Sequence, residues 1–96
     1  MLVLVTYDVS LTDAGGQKRL RRVAKTCQNY GVRVQNSVFE CVVDEAQFIL
    51  LRDRLKKEIA PDQDSLRFYR LGNNYRTKVE HYGVKREIRV DEPLIF

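Results

Sequence analysis

The chain has 96 residues, a formal net charge of +4 and a charged fraction of 31%. Its hydrophobic fraction of 44% is ordinary for a folded protein, so we expect one small domain and not a disordered chain. No apolar run approaches the ~20 residues of a membrane-spanning helix, and the two cysteines and one histidine lack the spacing of a zinc site. Met1 leads into an apolar stretch without a basic, cleavable leader, so we expect a cytoplasmic protein with reduced thiols.

The first predicted element is a strand, Leu2–Asp8, with the sequence LVLVTYD. Its continuous apolar run predicts burial on both faces. Asp8 closes the strand, and we expect it at the rim of a sheet, because an unpaired buried carboxylate costs several kcal/mol or more. Residues 9–16 follow as a loop that lacks the GxxxxGK[ST] pattern of a phosphate-binding loop.

The next segment, Gln17 to Tyr30, predicts an amphipathic helix. Apolar residues recur at helical spacing on one face: Leu20, Val23, Ala24 and Cys27. Basic residues occupy the other: Lys18, Arg21, Arg22 and Lys25. Gly31 is expected to end this helix in a left-handed conformation, and Cys27 is interpreted as core and not as a nucleophile.

Residues 32–43 are rich in strand-forming residues around Gln35-Asn36-Ser37. They predict a hairpin with a tight turn at Asn36-Ser37 or one long bent strand, and we favour two strands. Asp44 with Gln47 forms a capping-box pattern, which predicts a second helix to about Ile59 with Phe48, Leu51, Leu55 and Ile59 buried. Residues 65–71 alternate as a last strand, with Leu66 and Phe68 on one face.

This order, strand-helix-strand-strand-helix-strand, indicates an α+β, ferredoxin-like βαββαβ fold with two helices on one face of an antiparallel sheet. The uncovered face predicts self-association. We interpret residues 1–96 as one such domain, with 72–96 as a C-terminal extension used in dimerisation. Its apolar end, Pro93-Leu94-Ile95-Phe96, is expected to dock on its own sheet or to add a further strand to a neighbour's edge.

Asp8 has two interpretations. It is either a loop-capping aspartate that accepts hydrogen bonds from nearby amides or a ligand of a hard cation such as Mg²⁺. Asp13 is the only other carboxylate within a few residues. A two-fold axis near the strand end is the simplest way to bring two copies of Asp8 together around one ion, which would then polarise a phosphodiester.

The charge distribution suggests nucleic acid. Ala14 to Phe39 contains no acidic residue but six basic ones: Lys18, Arg19, Arg21, Arg22, Lys25 and Arg33. This surface is either a solvated helix face or a set of phosphate contacts. Tyr7 and Phe39 are expected to pack in the core or an interface, with base stacking as the alternative. His81 is interpreted as structural or exposed, since no spacing defines a catalytic partner.

Several segments together resemble the CRISPR-associated Cas2 family. These are LVTYDV at 4–9, KRLRRVAK at 18–25, GVRVQNSVFEC at 31–41 and SLRFYRL at 65–71. The tail, with LGNNY at 71–75 and KVEH at 78–81, resembles the version found in type I-C systems. The likeness covers nearly the whole chain.

The resemblance implies a homodimer with a Mg²⁺ site at Asp8, and a metal-dependent endonuclease that acts on single-stranded RNA or double-stranded DNA. It also implies a role in spacer insertion beside the Cas-one integrase of a CRISPR adaptation module. The positions matched to family residues near the site are Tyr7, Arg19, Arg22, Arg33 and Phe39. Two other functions stay open: a non-catalytic DNA-binding scaffold for the integrase, and a toxin-like ribonuclease of the same fold.

Overall fold

A computed structural model describes residues 1–84 and follows the predicted order. The strands are β1 (Leu2–Asp8), β2 (Gly31–Gln35), β3 (Val38–Val42) and β4 (Ser65–Gly72), and the helices are α1 (Gly16–Gln28) and α2 (Glu45–Glu58). All pairings are antiparallel, in the sheet order β2-β3-β1-β4. The predicted ferredoxin-like fold is therefore confirmed, with β1 as a central strand.

β1 is buried along one face and, on the other face, only at Leu2, so the prediction of burial on both faces is wrong for most of the strand. Val3, Val5 and Tyr7 lie in the core beneath the helices, whereas Leu4 and Thr6 on the other face are partly exposed. The even-numbered positions belong to the uncovered face of the sheet. The apolar sequence of β1 thus forms a strand although residues 1–84 place no second layer over its other face.

The core lies between the sheet and the two helices. Buried residues on this face come from β1, β3 and both helices, and the largest fully buried ones are Phe39, Leu51 and Leu55. α2 begins with the predicted capping box: the Asp44 side chain accepts from the Gln47 amide at 2.7 Å, and the Gln47 side chain accepts from the Asp44 amide at 2.9 Å. Ile59, just past the helix, packs partly buried against the core.

Gly31 does not end α1 in a left-handed conformation, which corrects the expectation for that residue. α1 ends two residues earlier than predicted, Gly31 is the first residue of β2, and its φ is not positive. A Cβ at this position would meet the Glu40 carbonyl oxygen and lie 2.5 Å from the Cys41 Sγ. Glycine is needed here for close approach of β2 to β3.

The C-terminal extension is described only as far as Val84. Residues 73–84 contain turns but no strand, and the proposed further strand and the Pro93–Phe96 segment fall outside the described residues. Within residues 1–84, neither helix is long and apolar enough to cross a membrane.

Candidate metal and nucleic-acid site

Asp8 lies at the end of the central strand, between the starts of two other elements. It pairs with Ser65, the first residue of β4, and the preceding Tyr7 amide donates to the Ser37 carbonyl in the β2–β3 turn at 3.1 Å. The Asp8 side chain is exposed, and the alternation of β1 assigns it to the uncovered face together with Thr6. The expected position at the rim of the sheet is confirmed.

The carboxylate of Asp8 makes no side-chain hydrogen bond and no ion pair with any of residues 1–84. The same residues contain no group of three His, Cys, Asp or Glu side chains arranged to hold a metal. The loop-capping role is thus not seen in the described part of the chain. One exposed carboxylate with open coordination sites can serve Mg²⁺, which keeps several water ligands.

Arg19 is engaged in a buried cluster and does not project with the other basic residues. Its Nε donates to Asp64 Oδ2 at 2.8 Å and its Nη1 to Asp13 Oδ2 at 2.7 Å, while its side chain is only 15% exposed. The Asp64 side chain is fully buried and also accepts from the amides of Ser10 and Ala60, at 2.9 and 2.8 Å. We call Arg19, Asp13 and Asp64 the arginine clamp.

The clamp keeps its two carboxylates ionised. Burial opposes the charge on Asp64, but hydrogen bonds from Arg19, Ala60 and Ser10 outweigh it and hold the pKa of Asp64 below its ordinary value. The hydrogen bond from Arg19 likewise lowers the pKa of Asp13, and the same partners raise the pKa of Arg19. Phosphate binding by Arg19, as predicted from the sequence, would therefore have to compete with two carboxylates that already bind its guanidinium.

The remaining basic residues of α1 form an exposed surface that we call the basic face: Lys18, Arg21, Arg22 and Lys25. None of the four forms an ion pair with any of residues 1–84. α1 covers the face of the sheet that carries Tyr7, whereas Asp8 alternates to the uncovered face. The basic face therefore belongs to the helix layer, and Asp8 belongs to the uncovered face of the sheet.

Tyr7 and Phe39 lie in the core, as expected, and not beside Asp8 on the uncovered face. Their ring centroids are 6.2 Å apart and Phe39 is fully buried. Arg33 pairs with Phe39 across β2–β3, and its guanidinium carbon is 5.2 Å from the Phe39 ring centroid. The Arg33 Nε and the Tyr7 hydroxyl are buried without a hydrogen-bond partner among residues 1–84, and burial raises the pKa of Tyr7.

Cys27 and Cys41 are both fully buried and are not joined by a disulfide. Burial raises the pKa of Cys41 to about 12 and also raises that of Cys27, so both thiols are neutral at physiological pH. The interpretation of Cys27 as core is confirmed. His81 is exposed, and its Nε2 lies 3.1 Å from the Gly83 carbonyl oxygen.

Arg67 and Tyr69 share the uncovered face with Asp8, and sequence reasoning did not connect them to it. Arg67 pairs with Thr6 and Tyr69 with Leu4 across β1–β4, and the Arg67 Nη1 donates to the Tyr69 hydroxyl at 3.0 Å. The signal was present in the alternation of residues 65–71. It could be used only once the register of β4 against β1 was known.

A family model described as CRISPR associated protein Cas2 matches residues 1–79. The chain belongs to the Cas2 family. A relative from Halalkalibacterium halodurans, named CRISPR-associated endonuclease Cas2, is 62% identical over 96 residues and covers all of both chains. Another, from Nitratidesulfovibrio vulgaris, is named CRISPR-associated endoribonuclease Cas2 and is 60% identical over 99% of this chain and 93% of its own.

Solved structures agree with the Cas2 assignment. The crystal structure of Streptococcus pyogenes Cas2 at pH 6.5 is 54% identical, covers 86% of this chain and 100% of its own, and superposes with a TM-score of 0.74. A hypothetical protein from Thermus thermophilus is 36% identical with a TM-score of 0.70, over 88% and 93% of the two chains. The family predicted from the sequence motifs is confirmed.

Proposed function

We propose that this Cas2 protein is a Mg²⁺-dependent endonuclease that hydrolyses phosphodiester bonds in single-stranded RNA, double-stranded DNA or both. The observation that carries the proposal is the position of Asp8, an exposed carboxylate at the end of the central strand without a partner among residues 1–84. Relatives of about 60% identity named endonuclease and endoribonuclease support it.

The residues present fit a weakly held magnesium ion. Asp8 supplies the hard oxygen ligand that Mg²⁺ prefers, and water can complete the coordination. When bound, the ion would polarise the phosphodiester and lower the pKa of a water molecule. The contribution of the chain is to hold one carboxylate at a solvent-accessible strand end.

A homodimer would supply a second carboxylate. The uncovered face presents Leu4 partly buried and Val42 and Tyr69 exposed, at 61% and 41%, which is the kind of apolar surface that a partner covers. A two-fold axis near the end of β1 would bring the two Asp8 side chains together. The extension 72–96 would add to this interface.

Nucleic acid would be held through its phosphates. The basic face of α1 offers four exposed cations, which can replace the counterions of a nucleic-acid backbone. We further propose that the protein works in a type I-C adaptation module beside the Cas-one integrase, a role motivated by the motif resemblance of the whole chain.

The test compares Asp8→Asn with Asp62→Asn, which removes the same charge from an exposed position in the α2–β4 connection. Both variants and wild type are incubated with labelled single-stranded RNA and duplex DNA, in Mg²⁺ and in EDTA. We expect cleavage by Asp8→Asn to fall to the level seen in EDTA, and Asp62→Asn to match wild type. Unchanged cleavage by Asp8→Asn would reject the mechanism.

The second candidate is a non-catalytic DNA-binding scaffold for the integrase. The separation of the basic face from Asp8 favours it, because duplex DNA bound along α1 need not reach the uncovered face. In that case wild type shows no Mg²⁺-dependent cleavage. Asp8→Asn keeps full duplex affinity, and Arg21→Glu combined with Arg22→Glu loses it.

A further inference from the structure

The loop that follows Asp8 is fixed at Ser10 by both backbone groups. The Ser10 amide donates to Asp64 Oδ1 at 2.9 Å, and its carbonyl accepts from Arg19 Nη2 at 3.3 Å. Gly16 packs directly on the same loop: a Cβ there would meet the Ser10 carbonyl oxygen and lie 2.9 Å from the Leu11 Cα. The chain two residues past Asp8 therefore has little freedom.

Asp64 also fixes the strand partner of Asp8. It immediately precedes Ser65, which pairs with Asp8 across β1–β4, and its Oδ2 accepts from the Ala60 amide at 2.8 Å. One fully buried carboxylate thus joins the loop after Asp8 to the start of the neighbouring strand. Arg19 neutralises that carboxylate and bridges it to Asp13.

We propose that Asp64, held by Arg19, is a positioning residue for Asp8. By fixing Ser10 and Ser65, it determines the direction in which the Asp8 carboxylate projects from the strand end and therefore the affinity of that carboxylate for a divalent cation. This rests on the proposed function. Groups that orient a metal ligand typically change metal affinity by about 10- to 100-fold when they are removed.

The test uses Asp64→Asn and Arg19→Lys, with Asp44→Ala as the control. Asp44 caps α2. The adjacent Val43 carbonyl accepts from the Met1 ammonium, which places Asp44 at the opposite end of β1 from Asp8, so loss of the Asp44 cap costs stability away from Asp8. The affinity for Mn²⁺, which takes the same oxygen ligands as Mg²⁺, is measured by calorimetry. Backbone ¹⁵N order parameters of Asp8 and Val9 are measured without metal.

For Asp64→Asn we expect roughly tenfold weaker Mn²⁺ binding and lower order parameters at Asp8 and Val9. Arg19→Lys should show the same changes to a smaller extent. Asp44→Ala should change the melting temperature only. If Asp64→Asn does not fold, Arg19→Lys carries the test, since lysine keeps the charge but loses the two-pronged contact.

Wild-type order at Asp8 and wild-type affinity in the clamp variants would overturn the proposal, as would equal losses in Asp44→Ala. Asp8→Asn separates this from failure of the proposed function. If Asp8→Asn binds Mn²⁺ as wild type does, the proposed metal site is wrong. The order parameters of the clamp variants then test by themselves whether Asp64 and Arg19 position Asp8.

Discussion

The hydroxyl of Thr26 in α1 donates a 2.6 Å hydrogen bond to the carboxylate of Glu58 at the end of α2. Thr26 is buried, and the Glu58 side chain is only 11% exposed. The bond therefore ties the last turn of α1 to the last residue of α2. Hydrogen bonds to charged groups are worth about 1.5–3 kcal/mol.

Thr26→Val should lower the free energy of unfolding by about 2 kcal/mol, because the isosteric change leaves the Glu58 carboxylate without its hydroxyl donor. Urea denaturation measures the loss. A double-mutant cycle with Glu58→Gln isolates the pair, and additive losses in the cycle would show that the two side chains do not interact.

The free energy of unfolding should fall at acid pH, because the two carboxylates of the arginine clamp become protonated. Asp64 and Asp13 have folded-state pKa values below their ordinary ones, so their contribution is present above the unfolded-state pKa of about 3.9 and is lost as the pH falls through the folded-state pKa. Wild type should lose stability steeply below about pH 4. The free energy of unfolding of wild type and Asp64→Asn can be measured by denaturant melts from about pH 2 to 7. It should fall less steeply with decreasing pH in the variant. Parallel acid limbs would contradict this prediction.

Gly31→Ala should destabilise the hairpin strongly. The new methyl group would be forced against the Glu40 carbonyl and the Cys41 sulfur, and overpacking of this kind costs about 1–3 kcal/mol or more. Thermal melts should show a fall of roughly 10 °C for a domain of this size. Asn29→Ala, at an exposed position two residues earlier, is the control, and a wild-type melting temperature for Gly31→Ala would contradict the close approach.

Duplex binding should depend on salt through the basic face. Replacing Arg21 and Arg22 with alanine removes two phosphate contacts, so the slope of log K against log salt should become shallower by about 1.8. Fluorescence anisotropy at several salt concentrations measures it. Lys56→Ala with Lys57→Ala removes the same charge from exposed positions of α2 and should leave the slope near the wild-type value. Equal effects of the two double variants would indicate non-specific attraction instead.

The structural features that depend only on residues close together in the sequence were predictable. The capping box of Asp44 and Gln47, the alternation of β4 and the apolar stripe of α1 are local patterns, and each appears where it was expected. The turn at Asn36-Ser37 was likewise resolved in favour of two strands.

The role of Arg19 was not predictable, because its partner Asp64 lies 45 residues away and only the tertiary fold joins them. Arg33, at the start of a strand, was predicted to add a bidentate phosphate contact. Its register against Phe39 places it on the helix-covered face, where the guanidinium packs on an aromatic ring, and the phosphate contact stays a prediction. Both cases show that the charge of a side chain does not reveal which partners the tertiary fold will give it.

The order β2-β3-β1-β4 has a consequence for biosynthesis. β1 is made first, yet it lies between two strands that emerge later, and its last neighbour ends at Gly72. A nascent chain therefore carries an apolar strand with an unpaired edge until residues 65–72 have left the ribosome. We expect chains stopped before β4 to be recognised by chaperones or to aggregate.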